Sequence, residues 1–406
     1  MQKVRGTQDF LPQQSALYRR IDDIAYELAQ RYGYGQIQTP LMETSEVFHR
    51  TLGETSDVVS KETYTFQDRG GDSVTLRPEG TAGIARAFIS EGLQQNLPLK
   101  LYYSGAMFRY ERPQKGRFRQ FHQIGVECLG IPSASADVEV IMLGYQFLEA
   151  LNLNSRSKLQ INTLGDSESR NAYRQKVVDY FSKYTSELSA DSQTRLQKNP
   201  LRIFDSKDAN DQKLAQGAPK LDDSLNNVSR EFFDKVQEGL TKLAVPHERN
   251  SHLVRGLDYY SHTVFEIVTT ELGAQGTLLA GGRYDGLMEI MGGPATAGVG
   301  WAAGIERLME LCAASIQIPS KKKVAVLPFD SNCEIASLQV AQLLRKHGHQ
   351  VEIIYSPSQL GKKMKKADSL GCSEAYILGE DEIKSQEVTF KNLSSGDQKK
   401  IPWSQL

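Results

Sequence analysis

The chain of 406 residues is 39% hydrophobic and 24% charged, which is material for two or three globular domains with a sizeable core. A formal net charge of −1 excludes a global basic field, so a polyanionic partner has to be met by local patches. Four scattered cysteines, none in a CxxC pair, argue against a disulfide frame or a cysteine zinc site. No apolar run approaches the roughly 18 residues of a membrane span, and MQKVRGTQDF has no apolar leader, so the expected location is cytoplasmic.

Leu17, Ile21, Ile24 and Leu28 recur at helical spacing between Pro12 and Gly33, which predicts a helix over residues 15–32. The stretch QIQTPLME then alternates but carries Pro40, the mark of an edge or interface strand. Tyr64-Thr65-Phe66 and Val74-Thr75-Leu76 flank Gly70-Gly71 and predict a hairpin. Arg77-Pro78-Glu79-Gly80-Thr81 opens a helix that runs to about Ser90. Glu79 and Thr81 thus stand where strand meets helix, a common place for ligand groups, and Thr81 also reads as a plain N-cap.

Residues 108–129, FRYERPQKGRFRQFHQIGVECL, read as two strands joined by a cationic loop. Arg109, Arg112, Lys115, Arg117 and Arg119 repel one another unless a polyanion settles among them. Alternation along the second strand puts Gln120, His122, Ile124, Val126 and Cys128 on one face, which turns apolar. Phe121, Gln123, Gly125 and Glu127 share the other. A glycine between an amide and a carboxylate leaves room for a small polar molecule beside a phosphate clamp. A surface hairpin with ordinary salt bridges is the alternative reading.

A helix is expected over residues 136–151 and a strand over 158–164. Residues 166–250 are polar and mostly helical, an inserted module whose charges form a solvated face or meet nucleic acid. Sheet character returns in LVRGLDYYSHTVFEIV, where Arg255, Asp258, Tyr259 and Tyr260 precede an alternating strand. In LLAGGRYDGL, Gly281-Gly282 permits close backbone approach just before Arg283 and Tyr284. GGPATAGVGWAAGIERLMEL passes from a glycine-rich strand into a helix bearing Arg307. Its GxGxxxG spacing is no dinucleotide fingerprint and no GxxxxGK[ST] loop occurs, so arginines on a sheet would have to hold any nucleotide. IQIPSKKK reads as a linker. Beyond it, over residues 321–406, VAVLP, VEIIY and AYILG alternate with two helices as a separate α/β domain. Lys362, Lys363, Lys365 and Lys366 on its second helix are a wet face or an RNA contact. His347 and His349 near a helix end, and His247 and His252 in a loop, read as caps or exposed groups, and no metal site is expected.

In this order the segments resemble the class II aminoacyl-tRNA synthetases, and among them the histidyl-tRNA synthetase family. The Pro40 stretch resembles motif 1, FRYERPQKGRFRQF motif 2 and GVGWAAGIERL motif 3, while LVRGLDYYSHTVFE and GGRYDGL resemble the histidine-specific signatures. KVRGTQDFLP, TLRPEGTA, NPLRIFDSK, LGKKMKKADSLG and YILGEDE also fit, so the likeness spans essentially the whole chain. One departure is Ser261-His262, where an arginine is frequent at the second place.

The resemblance implies an α+β fold: an antiparallel catalytic sheet of six or seven strands flanked by helices over residues 1–320, with the module at 166–250 inserted. Residues 321–406 would form an anticodon-binding α/β domain. It implies that L-histidine attacks the α-phosphate of ATP, that the histidyl group then moves to the 3′ end of tRNA(His), and that motif 1 makes a homodimer. Arg109 and Arg255 would grip the α-phosphate from two sides as the catalytic pair, and planar guanidinium groups suit that task. Arg117 and Arg307 would hold the outer phosphates and Glu111 the adenine edge. Glu79, Gly80, Thr81 and Gln123 would surround the α-amino group, Glu127 and Tyr260 the two ring nitrogens, with Tyr259 and Tyr284 closing the pocket. Mg²⁺ is expected with ATP, although no clear set of carboxylates for it is visible. No editing domain is expected, because a site that hydrogen-bonds both sides of an imidazole already rejects apolar analogues. The competing reading is a non-catalytic paralogue that senses histidine or tRNA, which would be expected to lack the phosphate arginines, the histidine signature or the C-terminal domain.

Overall fold

Long alternating stretches become the sheet in a computed structural model, which describes residues 1–52, 61–112, 116–206, 208–251, 253, 259–272, 276–318, 322–355 and 358–406. The chain divides into two compact units, Met1–Ile316 and Gln317–Leu406. In the first the strands are β1 (Gly35–Gln36), β2 (Met42–Thr44), β3 (Tyr64–Gln67), β4 (Ser73–Leu76), β5 (Leu99–Phe108), β6 (Gln120–Leu129), β7 (Lys158–Thr163), β8 (Glu248–Arg249), β9 (Ser261–Val268), β10 (Thr277–Arg283) and β11 (Gly298–Gly304). The large sheet has the order β1-β5-β6-β11-β10-β9-β7-β8. Its six inner strands are antiparallel. They are the antiparallel sheet expected, and β1 and β8 extend it with short parallel edges to eight strands where six or seven were expected. A two-residue strand is too short to show a period of two, which is why neither was legible.

The QIQTPLME stretch is not one strand. Gln36 at its start closes β1 and pairs with β5, whereas Met42–Thr44 pairs with β4 in a small sheet of order β2-β4-β3. Pro40 has no N–H to give a ladder, and the strand starts beyond it. The first helix spans Pro12–Arg31, three residues longer at its start than periodicity indicates, because Pro12 is preset for the first helical turn. It buries Leu17, Ile21, Ala25 and Ala29. With the helix Ala134–Ala150 it covers the apolar face of the sheet, where Ile124, Val126 and Cys128 join Trp301 and Ala303 in the main core.

The opposite face of β6 stays polar, and small residues keep it open. Glu127 pairs with Gly300 across the β6–β11 ladder. A methyl group on Gly300 would lie 1.9 Å from Glu127 Oε2 and 2.3 Å from the Val126 carbonyl. One on Gly281 would lie 2.1 Å from the Gly300 carbonyl, so the three strands pack through glycine at this point.

The insert carries the helices Ser167–Phe181, Ala190–Lys198, Ala209–Gln216 and Asn227–Lys242. Val177, Phe181, Leu188 and Ile203 give it a small core of its own. Beside that core the hydroxyls of Ser189, Ser192 and Ser206 all donate to the buried carboxylate of Asp211.

The second unit has β12 (Lys323–Pro328), β13 (Gln350–Ile353), β14 (Glu374–Leu378), β15 (Glu387–Asn392) and β16 (Gln398–Pro402), in the order β13-β12-β14-β15-β16. β12, β13 and β14 are parallel, and β15 and β16 extend the sheet antiparallel. The four lysines of the helix Leu360–Ser369 do not share one wet face. Lys363 is buried and its Nζ donates to the Pro328 carbonyl at 2.6 Å, while the other three are exposed. Among the described residues no helix is long and apolar enough to cross a membrane.

Candidate active site

Five segments from distant parts of the sequence meet over the polar face of β6. The strand supplies Gln123 and Glu127, and the loop from β5 to β6 supplies Arg109, Glu111 and Arg117. The start of the helix Thr81–Ser90 brings Glu79 and Thr81. The residues ahead of β9 bring Tyr259 and Tyr260, and the turn after β10 brings Tyr284. Arg307 comes from the first turn of the helix Ile305–Cys312. All of these line one cavity of about 200 Å³. Gly80 does not line it but sits behind the wall, where a methyl group would lie 2.3 Å from the Tyr103 ring. Arg255 lies outside the described residues, as do Lys115, His252 and Asp258. Arg112 is exposed and Arg283 points elsewhere: it is fully buried, donating to Asp137 and Asp285.

The inner end of the cavity is built around two buried carboxylates. Glu79 accepts from the backbone N–H groups of Thr81 (2.6 Å) and Ala82 (2.8 Å), capping the helix that follows. The capping job therefore falls to Glu79, and the Thr81 hydroxyl is turned inward to donate to Glu127 at 2.7 Å. The Tyr284 hydroxyl donates to the other oxygen of Glu127. Burial raises both carboxyls above the ordinary range, Glu127 up to about 8, although hydrogen bonds from Tyr284 and Thr81 pull it back. Tyr259 and Tyr284 are core aromatics and cavity wall at once. Their rings meet edge to face at 5.8 Å, and they share an apolar cluster with Leu253, Val264 and Leu287. Gln123 Oε1 is buried in this wall with no hydrogen-bond partner among the described residues.

The outer end is cationic. Arg109 lies over the Phe121 ring and donates from Nε to the Pro78 carbonyl at 2.8 Å. Arg117 pairs with Glu111 at 2.9 Å, and Glu111 is 3.9 Å from Arg109. Arg307 donates to the Thr277 carbonyl at 2.7 Å, and burial, with Arg117 nearby, holds it below the usual arginine value. Two further residues of the site were missed from the sequence. Phe121 stands on the ligand face of β6 beneath Arg109, a position the alternation itself marks. Glu306 lines the cavity and accepts from the His122 backbone N–H through both oxygens at 3.0 Å, with His122 Nδ1 2.9 Å from Oε1. Its adjacency to Arg307 was the available signal. His262, the departure in the signature, turns away to stack on Phe232 of the insert.

Known proteins match this chain from end to end. A model of the histidyl-tRNA synthetase family covers residues 6–308, and one of an anticodon binding domain covers residues 323–406. The histidine–tRNA ligase of Rhodospirillum rubrum is 53% identical over 401 residues, 99% of this chain and 96% of that one. The chain belongs to the histidyl-tRNA synthetase family. The histidine–tRNA ligase of Gluconobacter oxydans is 47% identical across 100% of this chain and 97% of its own. Among solved structures, apo histidyl-tRNA synthetase of S. aureus superposes with a TM-score of 0.85 at 34% identity, covering 100% of this chain and 98% of that one. A Bacillus halodurans protein described as an ATP phosphoribosyltransferase regulatory subunit/histidyl-tRNA synthetase has a TM-score of 0.64 at 23% identity, covering 90% and 96%, and shares the fold alone.

Proposed function

We infer that the chain is an ATP-dependent histidine–tRNA ligase. It activates L-histidine to histidyl-adenylate with release of pyrophosphate, then transfers the histidyl group to tRNA(His). The observation that carries this reading is the division of one cavity into a carboxylate end and an arginine end, joined by an amide whose oxygen has no donor among the described residues. The carboxylate end suits an amino acid with an ammonium and a ring N–H. Gln123 Oε1 would accept from the α-ammonium group, next to the negative charge of Glu79. Glu127 would take one ring nitrogen, with Tyr260 at the other and Tyr259 and Tyr284 around the ring.

At the arginine end a carboxylate oxygen of histidine attacks the α-phosphorus, and the bond from that phosphorus to the α,β-bridging oxygen breaks to release pyrophosphate. Arg109, with Arg255 from the histidine signature, would stabilise charge developing on the α-phosphate, and their charge is present before the reaction begins. Arg117 and Arg307 would hold the leaving pyrophosphate. In the described state Glu111 is paired with Arg117. Nucleotide entry would exchange that pair, releasing Glu111 to the adenine amino edge and Arg117 to the phosphates. Mg²⁺ would arrive on the nucleotide, since no group of three His, Cys, Asp or Glu side chains among the described residues is arranged to hold it.

The exposed Met42 and Phe66 on the β2-β4-β3 sheet, with Leu41 just ahead of β2, support a homodimer through the segment that resembles motif 1. Four buried, free cysteines suit a reducing, cytoplasmic setting. Histidine-dependent ATP–pyrophosphate exchange tests the reading. Exchange that needs histidine is the expected result, and its absence at every enzyme concentration would favour a sensing paralogue.

A further inference from the structure

A second cavity of the first unit is larger than the one described above. It measures about 640 Å³ and lies where the helix Ser167–Phe181 faces the helices Ala190–Lys198 and Ala209–Gln216. Its charge is one-sided. Arg170, Arg174, Lys198, Arg202 and Lys220 line it, and among the described residues no aspartate or glutamate does. Arg170 and Arg174 are one helical turn apart and share a face. The net charge of the chain is −1, so this clustering is local and does not follow from composition. Cations gathered round a low-dielectric hollow focus a field that favours an anion there.

The rest of the lining is apolar and amide-bearing. Tyr173 and Phe204 lie nearly parallel, at 16° and 6.3 Å between centroids, and Leu201 and Pro219 complete that wall. A volume within the ~300–1,000 Å³ of small-molecule sites fits a compact ligand. A nucleic-acid strand would be met by an open basic stripe, not by a hollow with an aromatic wall. We propose that this cavity is a second ligand site, for a nucleoside phosphate, with its phosphates among Arg170, Arg174 and Arg202 and its base against Tyr173 and Phe204. The site adjoins the first one at a contact in which Arg170 Nη1 donates to the Tyr260 carbonyl at 2.7 Å, and Tyr260 lines the active-site cavity. A phosphate that draws on Arg170 weakens that contact, so occupancy raises the KM for histidine; this last consequence rests on the ligase reading, whereas binding does not.

Calorimetric titration of the full chain with GDP tests binding. Arg174→Ala with Lys220→Ala, both exposed positions, should weaken GDP by about tenfold or more, the scale of losing charge-assisted phosphate contacts. Arg307→Ala, in the first cavity, should leave it unchanged. The reverse pattern, or no binding at millimolar GDP, overturns the proposal. Pyrophosphate binding as tightly as GDP overturns the aromatic half of the site. If the double variant keeps GDP affinity and raises only the KM for tRNA, the cations serve an RNA backbone and the proposal fails. In the exchange assay, GDP should raise the histidine KM of the parent and not of the double variant. An unchanged KM despite measured GDP binding overturns the link through Arg170.

Discussion

Glu127 is a carboxylate with 1% of its surface exposed whose oxygens meet two hydroxyls and, among the described residues, no cation. Hydroxyl donors compensate only part of the burial, and its carboxyl is pushed up to about 8. Because that value lies above the ordinary 4.5, the folded chain keeps a proton that the unfolded chain releases between about pH 4.5 and 8. Its contribution to stability is therefore greatest below pH 4.5 and declines as pH rises toward 8. Histidine binding should run the other way, since the ionised form is the better acceptor for a ring N–H. The kcat/KM for histidine in the exchange assay is expected to rise with pH toward about 8. Glu127→Gln should flatten that limb and raise the histidine KM by roughly 10–100-fold, the scale of one hydrogen bond to a charged group, with the ATP KM little changed. A limb that survives in Glu127→Gln, or equal effects on both substrates, would make Glu127 a structural group. Alternation along β6 was enough to put Gln123 and Glu127 on one face. It could not tell that the hydroxyl satisfying Glu127 comes from Tyr284, 157 residues away, because a period of two reports a strand's faces and not what lies opposite them. For the same reason Thr81 reads locally as a cap until Glu79 is seen to take that place.

The strand that leads into Tyr284 is tied to a helix behind the sheet by a buried ion pair. Arg283, the last residue of β10, and Asp137, in the helix Ala134–Ala150, are both fully buried. The guanidinium also donates to the carbonyls of Ile131 and Ser133, so it closes the turn that leads into that helix. Tyr284 is its immediate neighbour, and any slack in Arg283 moves the hydroxyl that meets Glu127. Arg283→Met should lower stability by about 3–5 kcal/mol, because it leaves a buried charge without its partner. Adding Asp137→Leu should recover much of that loss, as read by denaturant unfolding of the two variants side by side. Additive losses in the double variant would mean that packing, and not the stranded carboxylate, sets the penalty. Elements whose periodicity repeats were legible: the helix before Gly33, the hairpin about Gly70 and Gly71, and the strand β6. The first strand of the expected 108–129 hairpin was placed too late, because β5 runs over Leu99–Phe108 and ends where that stretch begins. The two-residue edges β1 and β8 were not legible, and Arg283 was unreadable because nothing local distinguishes an arginine facing a ligand from one facing an aspartate 146 residues earlier.

At the scale of the molecule, the two compact units each bury their own apolar residues. Val324, Val326, Val340 and Leu378 form one cluster of the second unit and Ala325, Leu327 and Ala367 another, on the two faces of its sheet. The active-site cavity draws all its described lining from the first unit. If that cavity is where activation takes place, the first unit should suffice for it, whereas charging needs a hold on tRNA, and the second unit is the part that matches an anticodon binding domain. A chain ending at Ile316 should therefore still catalyse histidine-dependent pyrophosphate exchange, within about tenfold of the full chain. Its KM for tRNA in the charging reaction should rise by about 100-fold or more, equivalent to losing roughly 2.7 kcal/mol of binding. The two assays have to be run on the same preparation, because a truncated chain that is merely unfolded loses both activities together. Far-UV circular dichroism with a cooperative melt separates that case. Exchange lost from a chain that remains folded would mean that the second unit acts on the adenylate step itself. Charging that survives unimpaired would mean that the first unit alone carries the contacts with tRNA, and the basic residues of its insert would then be the place to look.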